Sequence, residues 1–198
     1  MLARVPDRMT GAEYLAWEER QDKRWELVGG RPVLRAERKG WITPEGVAGG
    51  SYLHAMIKGN IDAALRARLR GGPCRSLTSD LRIRVSDTEY RYPDVVVDCG
   101  PASTQLYASQ PRVVFEVLSP ANTRRDQDER EDDFKLVGAV QQIVFVDSRE
   151  PFARAWTRAG DLWPTSRVQG LDAALSLSSL GLSIPLHEVY EGWRFPPA

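Results

Sequence analysis

The chain lacks an excess of charge of either sign: 27 Lys and Arg are matched by 27 Asp and Glu over 198 residues. No global field draws in nucleic acid, so any phosphate-binding surface must be a local patch. Long apolar runs are missing too, including at the N-terminus MLARVPDRMT. The sequence therefore predicts neither a signal peptide nor a membrane span. Cysteine is scarce: Cys74 and Cys99 stand alone, without metal-ligand spacing. Two isolated thiols suit a reducing cytoplasm better than a disulfide scaffold. Internal repeats, coiled-coil heptads and low-complexity segments are also absent, which excludes solenoids and fibrous arrays.

What is present is an ordinary globular balance, 42% hydrophobic and 27% charged. That composition can bury a core, and the length suggests one domain over residues 1–198. Thr10 and Glu13 stand in the T-x-x-E spacing of a capping box, so a helix opens there. The stretch KRWELVGGRPVLRAE alternates and breaks at Gly29-Gly30, which reads as a hairpin. The Gly-rich residues 40–50 read as a loop. A helix capped by Ser51 runs to about Leu69, with Ile57, Ile61, Ala64 and Leu65 on one face and His54 a turn upstream. Short strands follow in CRSLTSDLRIRV, YPDVVVD and RVVFEVLS. A charged helix and the strand QQIVFVDS come next, which makes a βαβ unit with parallel strands. An outer hairpin turning at 159–161 and a short helical tail complete residues 150–195. The expected fold class is α+β, with a mixed central sheet flanked by helices.

Two acidic residues stand out. Asp94 precedes three valines in RYPDVVVDCG, and Glu116 sits among apolar neighbours in VVFEVLSP. A charge in a buried strand is costly unless compensated. By strand alternation Asp94 shares a face with Val96, and Glu116 shares one with Val114 and Leu118. If the strands are neighbours, the carboxylates lie side by side. Unshielded they would repel, and one would protonate. A divalent cation resolves this, since Mg²⁺ is typically held by one or two carboxylates, waters and substrate phosphates. The bland reading is a turn-forming Asp94 and a Glu116 paired with an arginine.

The spacing P-D, 21 residues, then E in an apolar strand resembles the PD-(D/E)XK nuclease superfamily. Within it the chain resembles the bacterial Uma-two family of restriction-endonuclease-like proteins. The resemblance is carried, in order, by MTGAEYLAWEE, WELVGGRPV, YLHAMIKGNIDAAL, DLRIRV, YRYPDVVV, VVFEVLSPANTRRDQ and FKLVGAVQQIVFVDS, over residues 9–148. It implies a metal-dependent endonuclease core in which Asp94 and Glu116 hold Mg²⁺ or Mn²⁺. Glu26 would complete the shell, or be a solvated strand residue. It also implies nucleic acid, DNA first, as the partner, and a homodimer that cuts both strands.

The chain departs from the superfamily pattern where a lysine is expected. Leu118 stands two residues after Glu116. The resembled family places its lysine on the next helix, and aligning RDQDEREDDF to that arrangement puts Arg130 at the lysine and Phe134 at an aromatic position. Arginine cannot act as a general base, though it binds phosphate as a rigid fork. Arg130 is thus either a phosphate-neutralising residue or a salt-bridge partner of Asp126. If cleavage is lost, a nuclease-fold binding module remains as the alternative; a third class is a partner protein acting through an exposed apolar interface.

Other candidates for substrate contact are His54, Arg124 and Arg125, with Trp41 as a stacking residue. His54 reads equally as a core-edge histidine. Arg66, Arg68, Arg70 and Arg75 cluster at a helix end, where they also complement the dipole. Asp80 is expected near Glu26, Asp98 and Asp147 as turn formers, and His187 as structural.

Overall fold

The computed structural model describes residues 5–38, 42–43, 46–47, 52–78, 80–120 and 122–195, with backbone alone at 37–38, 42–43 and 46–47. Ser51 and Trp41, singled out above, lie outside the described residues.

Helix α1 (Gly11–Glu18) starts at the expected capping box: the Thr10 side chain accepts from the Glu13 N–H, and the Glu13 carboxylate accepts from the Thr10 N–H. Strands β1 (Trp25–Val28) and β2 (Arg31–Leu34) form the expected hairpin. Its turn uses Gly29 and Gly30 at φ 55° and 76°, a conformation with no Cβ penalty only for glycine. The hairpin ends earlier than its sequence pattern, because Arg35–Arg38 closes into a short helix, α2. Within the Gly-rich loop, β3 (Ile42–Thr43) and β4 (Gly46–Val47) pair as a minimal hairpin.

Helix α3 (Tyr52–Leu69) buries His54, Ile57, Ile61, Ala64 and Leu65 on one face, as the spacing of three and four dictates. Strands β5 (Arg75–Thr78), β6 (Ile83–Ser86), β7 (Glu89–Arg91), β8 (Val95–Asp98) and β9 (Pro111–Leu118) follow. Helix α4 (Arg124–Leu136) leads to β10 (Gln142–Asp147), which lies parallel to β9. Then come β11 (Phe152–Thr157), β12 (Thr165–Gln169), β13 (Ala174–Leu177), β14 (Leu182–Pro185) and the four-residue α5 (Leu186–Val189).

The central sheet has six strands in the order β12-β11-β10-β9-β8-β5, mixed in direction. Its outer hairpin is continuous with the core rather than appended to it. A second sheet, β2-β1-β7-β6, is antiparallel. Alternation along β8 and β9 sends Val95, Val97, Val113, Phe115 and Val117 into a core that includes Ile57, Ile61 and Leu65 of α3. Val96 and Val114 point the other way, into a core with Phe134 of α4, Phe145 and Trp156. Both faces of the sheet are therefore covered, and the strands read as near-continuous apolar runs.

The reading of two free thiols is corrected. Strands β5 and β8 pair antiparallel with Arg75 opposite Asp98, so the next pair outward is Cys74 and Cys99. Their Cα atoms stand 4.0 Å apart and the sulfurs are bonded. Sequence spacing could not reveal a partnership made by strand register across 25 residues. The cytoplasmic expectation loses the support it drew from free thiols. No helix among the described residues is long and apolar enough to cross a membrane.

Candidate functional site

The two acidic residues of the opening puzzle meet. Strands β8 and β9 are neighbours with Val95 opposite Phe115, and one step further Asp94 comes alongside Glu116. The Asp94 N–H donates to the Phe115 carbonyl at 3.1 Å, and Asp94 Oδ2 accepts from the Val117 N–H at 2.8 Å. Asp94 thus bonds the residues on either side of Glu116. Both carboxylates are sealed from solvent.

Glu26 joins them from the other sheet. It is fully buried, which overturns its reading as a solvated strand residue. Its Oε1 accepts from the Tyr92 N–H at 3.0 Å, two residues before Asp94. Tyr92 is held in turn by its hydroxyl, which donates to Glu18 at 3.0 Å. Glu18 at the end of α1 also receives Arg82. A buried polar chain therefore runs from α1 through Tyr92 to the acidic cluster. Each of its members makes at least one hydrogen bond, although the Nε of Arg82 is buried without one among the described residues.

Arg130 faces the acidic strands and not Asp126. Its guanidinium donates to Glu116 Oε1 at 2.8 Å and to both Glu26 oxygens at 3.1 and 3.2 Å. Asp126 is otherwise engaged, accepting from the Thr123 backbone and hydroxyl in a capping box that starts α4. Phe134, one turn on, is buried, as the helical register requires, while Lys135 pairs with Glu131. Burial opposes the positive charge of Arg130, but Glu116, Glu26 and Asp94 outweigh it and hold the guanidinium above its ordinary pKa. For Glu26 burial pushes the carboxyl up, but Arg130, Arg91 and the Tyr92 N–H prevail and bring it down to about 2.

Asp94 has two further partners. Arg35 Nη2 lies 3.3 Å from Oδ1, and His54 Nε2 lies 3.2 Å from Oδ2. His54 is 2% exposed, and its ring meets the Asp94 carboxylate. Arg35 was invisible to sequence reading, because nothing in VLRAE distinguishes it from a surface arginine; only the turn of α2 aims it inward. Beside Glu116 and Arg130 a cavity of about 10 Å³, lined also by Leu118, Asn122, Asp126 and Gln127, has room for about one water.

Several expected neighbours lie elsewhere. Asp80 is exposed and pairs loosely with Arg24 at 3.8 Å, so it takes no part near Glu26. Arg125 is exposed and pairs with Glu129; Arg124 is exposed and pairs with Asp128. Arg66 pairs with Asp62 and Arg68 with Glu188, while Arg75 donates to the Gly100 carbonyl. Much of the arginine cluster at the end of α3 is thus structural. Asp147 accepts from the Arg149 N–H two residues on, as a turn former does, whereas Asp98 ends β8 and accepts from the Gln110 N–H across the sheet rather than in a turn.

The donor set bears on a metal ion. Among the described residues no three His, Cys, Asp or Glu side chains converge at metal-ligand spacing. The Arg130 guanidinium stands between Glu26 and Glu116 and takes up the oxygens of Glu26. Asp94, bonded to Val117, Arg35 and His54, and Glu116, bonded to Arg130, are hard oxygen donors on adjacent strands; that is the donor type of a cation held by two carboxylates, waters and substrate phosphate.

Comparison with known proteins agrees with this architecture. A protein of Synechocystis sp. named "Uncharacterized protein slr1290" is 30% identical over 207 residues, covering 98% of this chain and all of that one. A crystal structure titled as a putative nuclease belonging to DUF820, from Anabaena variabilis, superimposes with a TM-score of 0.68. At 15% identity, covering 92% of this chain and 97% of that one, it attests the fold. The Uma2 family, described as "Putative restriction endonuclease", matches residues 12–187. The chain belongs to the Uma2 family.

Proposed function

We propose that the chain is a divalent-metal-dependent endonuclease that hydrolyses phosphodiester bonds of nucleic acid, DNA in the first instance. One observation carries the reading: Asp94 and Glu116 lie side by side on neighbouring strands, with the Arg130 guanidinium bonded to Glu116 from the following helix. Asp94 and Glu116 would hold Mg²⁺ or Mn²⁺. Such an ion supplies Lewis-acid polarisation of the scissile phosphate and lowers the pKa of its bound water.

The chain's own residues do the rest. Val117 N–H, Arg35 and His54 orient the Asp94 carboxylate. Glu26 anchors Arg130 instead of offering its oxygens outward. Arg130, which cannot take up a proton, neutralises charge at Glu116 and on a phosphate that approaches it. The proton of the attacking water must therefore leave to another acceptor, the phosphate or solvent. A pair of such subunits would cut both strands of a duplex.

A second reading rests on the same guanidinium. Arg130 already neutralises Glu26 and Glu116 together, which is the state of a nuclease fold that binds nucleic acid without turning it over. Isothermal titration of Mg²⁺ and Mn²⁺ into the wild type, Asp94→Asn and Glu116→Gln, with a nuclease screen in parallel, separates the two. The nuclease reading requires metal binding and cleavage that both variants lose, cleavage by about 100-fold or more. Nucleic-acid binding by the wild type without metal-dependent cleavage selects the binding module.

A further inference from the structure

The register of the central sheet carries the row that begins at Asp94 and Glu116 beyond the acidic cluster. Glu116 lies opposite Phe145, Phe145 opposite Arg154, and Arg154 opposite Arg167. Residues in register share a face, so Arg154 and Arg167 stand on the same side of the sheet as Glu116, the side that α4 covers. At about 4.8 Å per strand they lie about 10 and 14 Å from Glu116 along that row.

There they line a cleft of about 580 Å³ with Arg124, Glu131, Trp156 and Thr165. Arg154 lies over the Trp156 ring, its Cζ 4.3 Å from the centroid. A guanidinium over an indole face is held by cation–π attraction and keeps its N–H donors for other partners. The nearby carboxylates are engaged: Asp128 with Arg124, and Glu131 with Lys135. The side chains of Arg154 and Arg167 make no hydrogen bond or ion pair with a described residue. Burial and the neighbouring Arg124 and Arg167 lower the pKa of Arg154, while Glu131 and Asp128 oppose that. Like charges gathered in a partly desolvated cleft await an anion.

We propose that the Arg154–Arg167 cleft, closed on one side by Trp156 and Arg124, binds the phosphate backbone of nucleic acid flanking the bond held at Asp94 and Glu116. This rests on the nuclease-fold reading and adds a binding surface to it. The row covers about three to four nucleotides of one strand, at about 3.4 Å of axis per charge. Such contacts position the strand and carry no sequence information. The arginines come from β11 and β12, outside the strands that hold the carboxylates, so substrate grip and chemistry are separable by mutation.

The test is fluorescence anisotropy with a short fluorescein-labelled DNA duplex, in EDTA so that no cleavage occurs, over a range of KCl concentrations. The doubly substituted Arg154→Gln, Arg167→Gln variant should bind about tenfold more weakly at physiological salt and flatten the plot of log K against log salt by about 1.8. Arg167→Glu alone, at an exposed position, should weaken binding without touching the Arg154–Trp156 stack. Arg66→Gln, on the other face, should leave the slope unchanged. Wild-type slope and affinity in both cleft variants would overturn the proposal. Release of the duplex by an equal concentration of inorganic phosphate would also overturn it, by revealing a small-anion site. Cleavage by wild-type protein, measured separately with Glu116→Gln as the inactive control, decides the nuclease reading independently of either result.

Discussion

Arg130 and Glu116 are joined across the sheet–helix interface, Nη1 to Oε1 at 2.8 Å, with both side chains shut away from water. The same guanidinium holds Glu26 from a different sheet. One residue of α4 therefore fastens two sheets to each other at the point where the acidic residues gather.

That clamp makes Arg130 a stability determinant as well as a site residue. Arg130→Gln should lower unfolding free energy by about 3–5 kcal/mol, because it strands two buried carboxylates. Arg130→Lys should lose less, since the ammonium keeps the charge but not the forked geometry. Urea denaturation of the three proteins gives the ranking; equal midpoints would show that the clamp contributes nothing.

Glu26 links stability to pH. Its folded-state pKa is about 2, below its ordinary value of 4.5. A depressed carboxylate stabilises the fold above the unfolded pKa, and the contribution fades as pH falls from about 5 toward 2. The full contribution is about 3 kcal/mol. Subtracting the stability profile of Glu26→Gln from that of the wild type should isolate this acid limb. Parallel profiles would place the acid sensitivity elsewhere.

The Cys74–Cys99 bond closes a loop of 25 residues that contains β6, β7 and Asp94. By loop entropy it should contribute about 3 kcal/mol. Thermal melts with and without reductant, beside a Cys74→Ser, Cys99→Ser variant, measure this. Reductant should lower the Tm of the wild type and leave the variant unmoved.

Thr123 caps the helix that delivers Arg130. Thr123→Ala should cost about 1 kcal/mol of stability. Since Arg130 lies two turns inside α4 and is fastened at its far end, the metal affinity proposed for the site should be untouched. Denaturation and calorimetry on one sample distinguish the two effects.

The family and much of the fold could be read from local pattern. Helix α3 is visible in the spacing of Ile57, Ile61, Ala64 and Leu65, the first hairpin in Gly29-Gly30, and the parallel pairing of β9 and β10 in the helix between them. These features depend on near neighbours in the chain, where periodicity and turn chemistry act directly. The pairing of Asp94 with Glu116 was inferable for the same reason, from alternation along two consecutive strands. The choice of Arg130 came from the family resemblance, helical angle excluding Lys135 from the same face, and Phe134 packs accordingly.

Other facts exist only once distant segments are brought together. Whether Arg130 would face Asp126 or the acidic strands is decided by how α4 lies on the sheet. Glu26 is buried because a second sheet packs against Tyr92, and Arg35 reaches Asp94 because a turn of helix follows β2. Cys74 meets Cys99 through the register of β5 on β8, and Arg154 and Arg167 continue the row of Glu116 through the register of β10, β11 and β12. The amino-acid sequence by itself determined which side chains carry charge and which elements form. Only the tertiary structure decided which charges share a buried space, because Coulomb energy and desolvation depend on distance through the fold and not on distance along the chain.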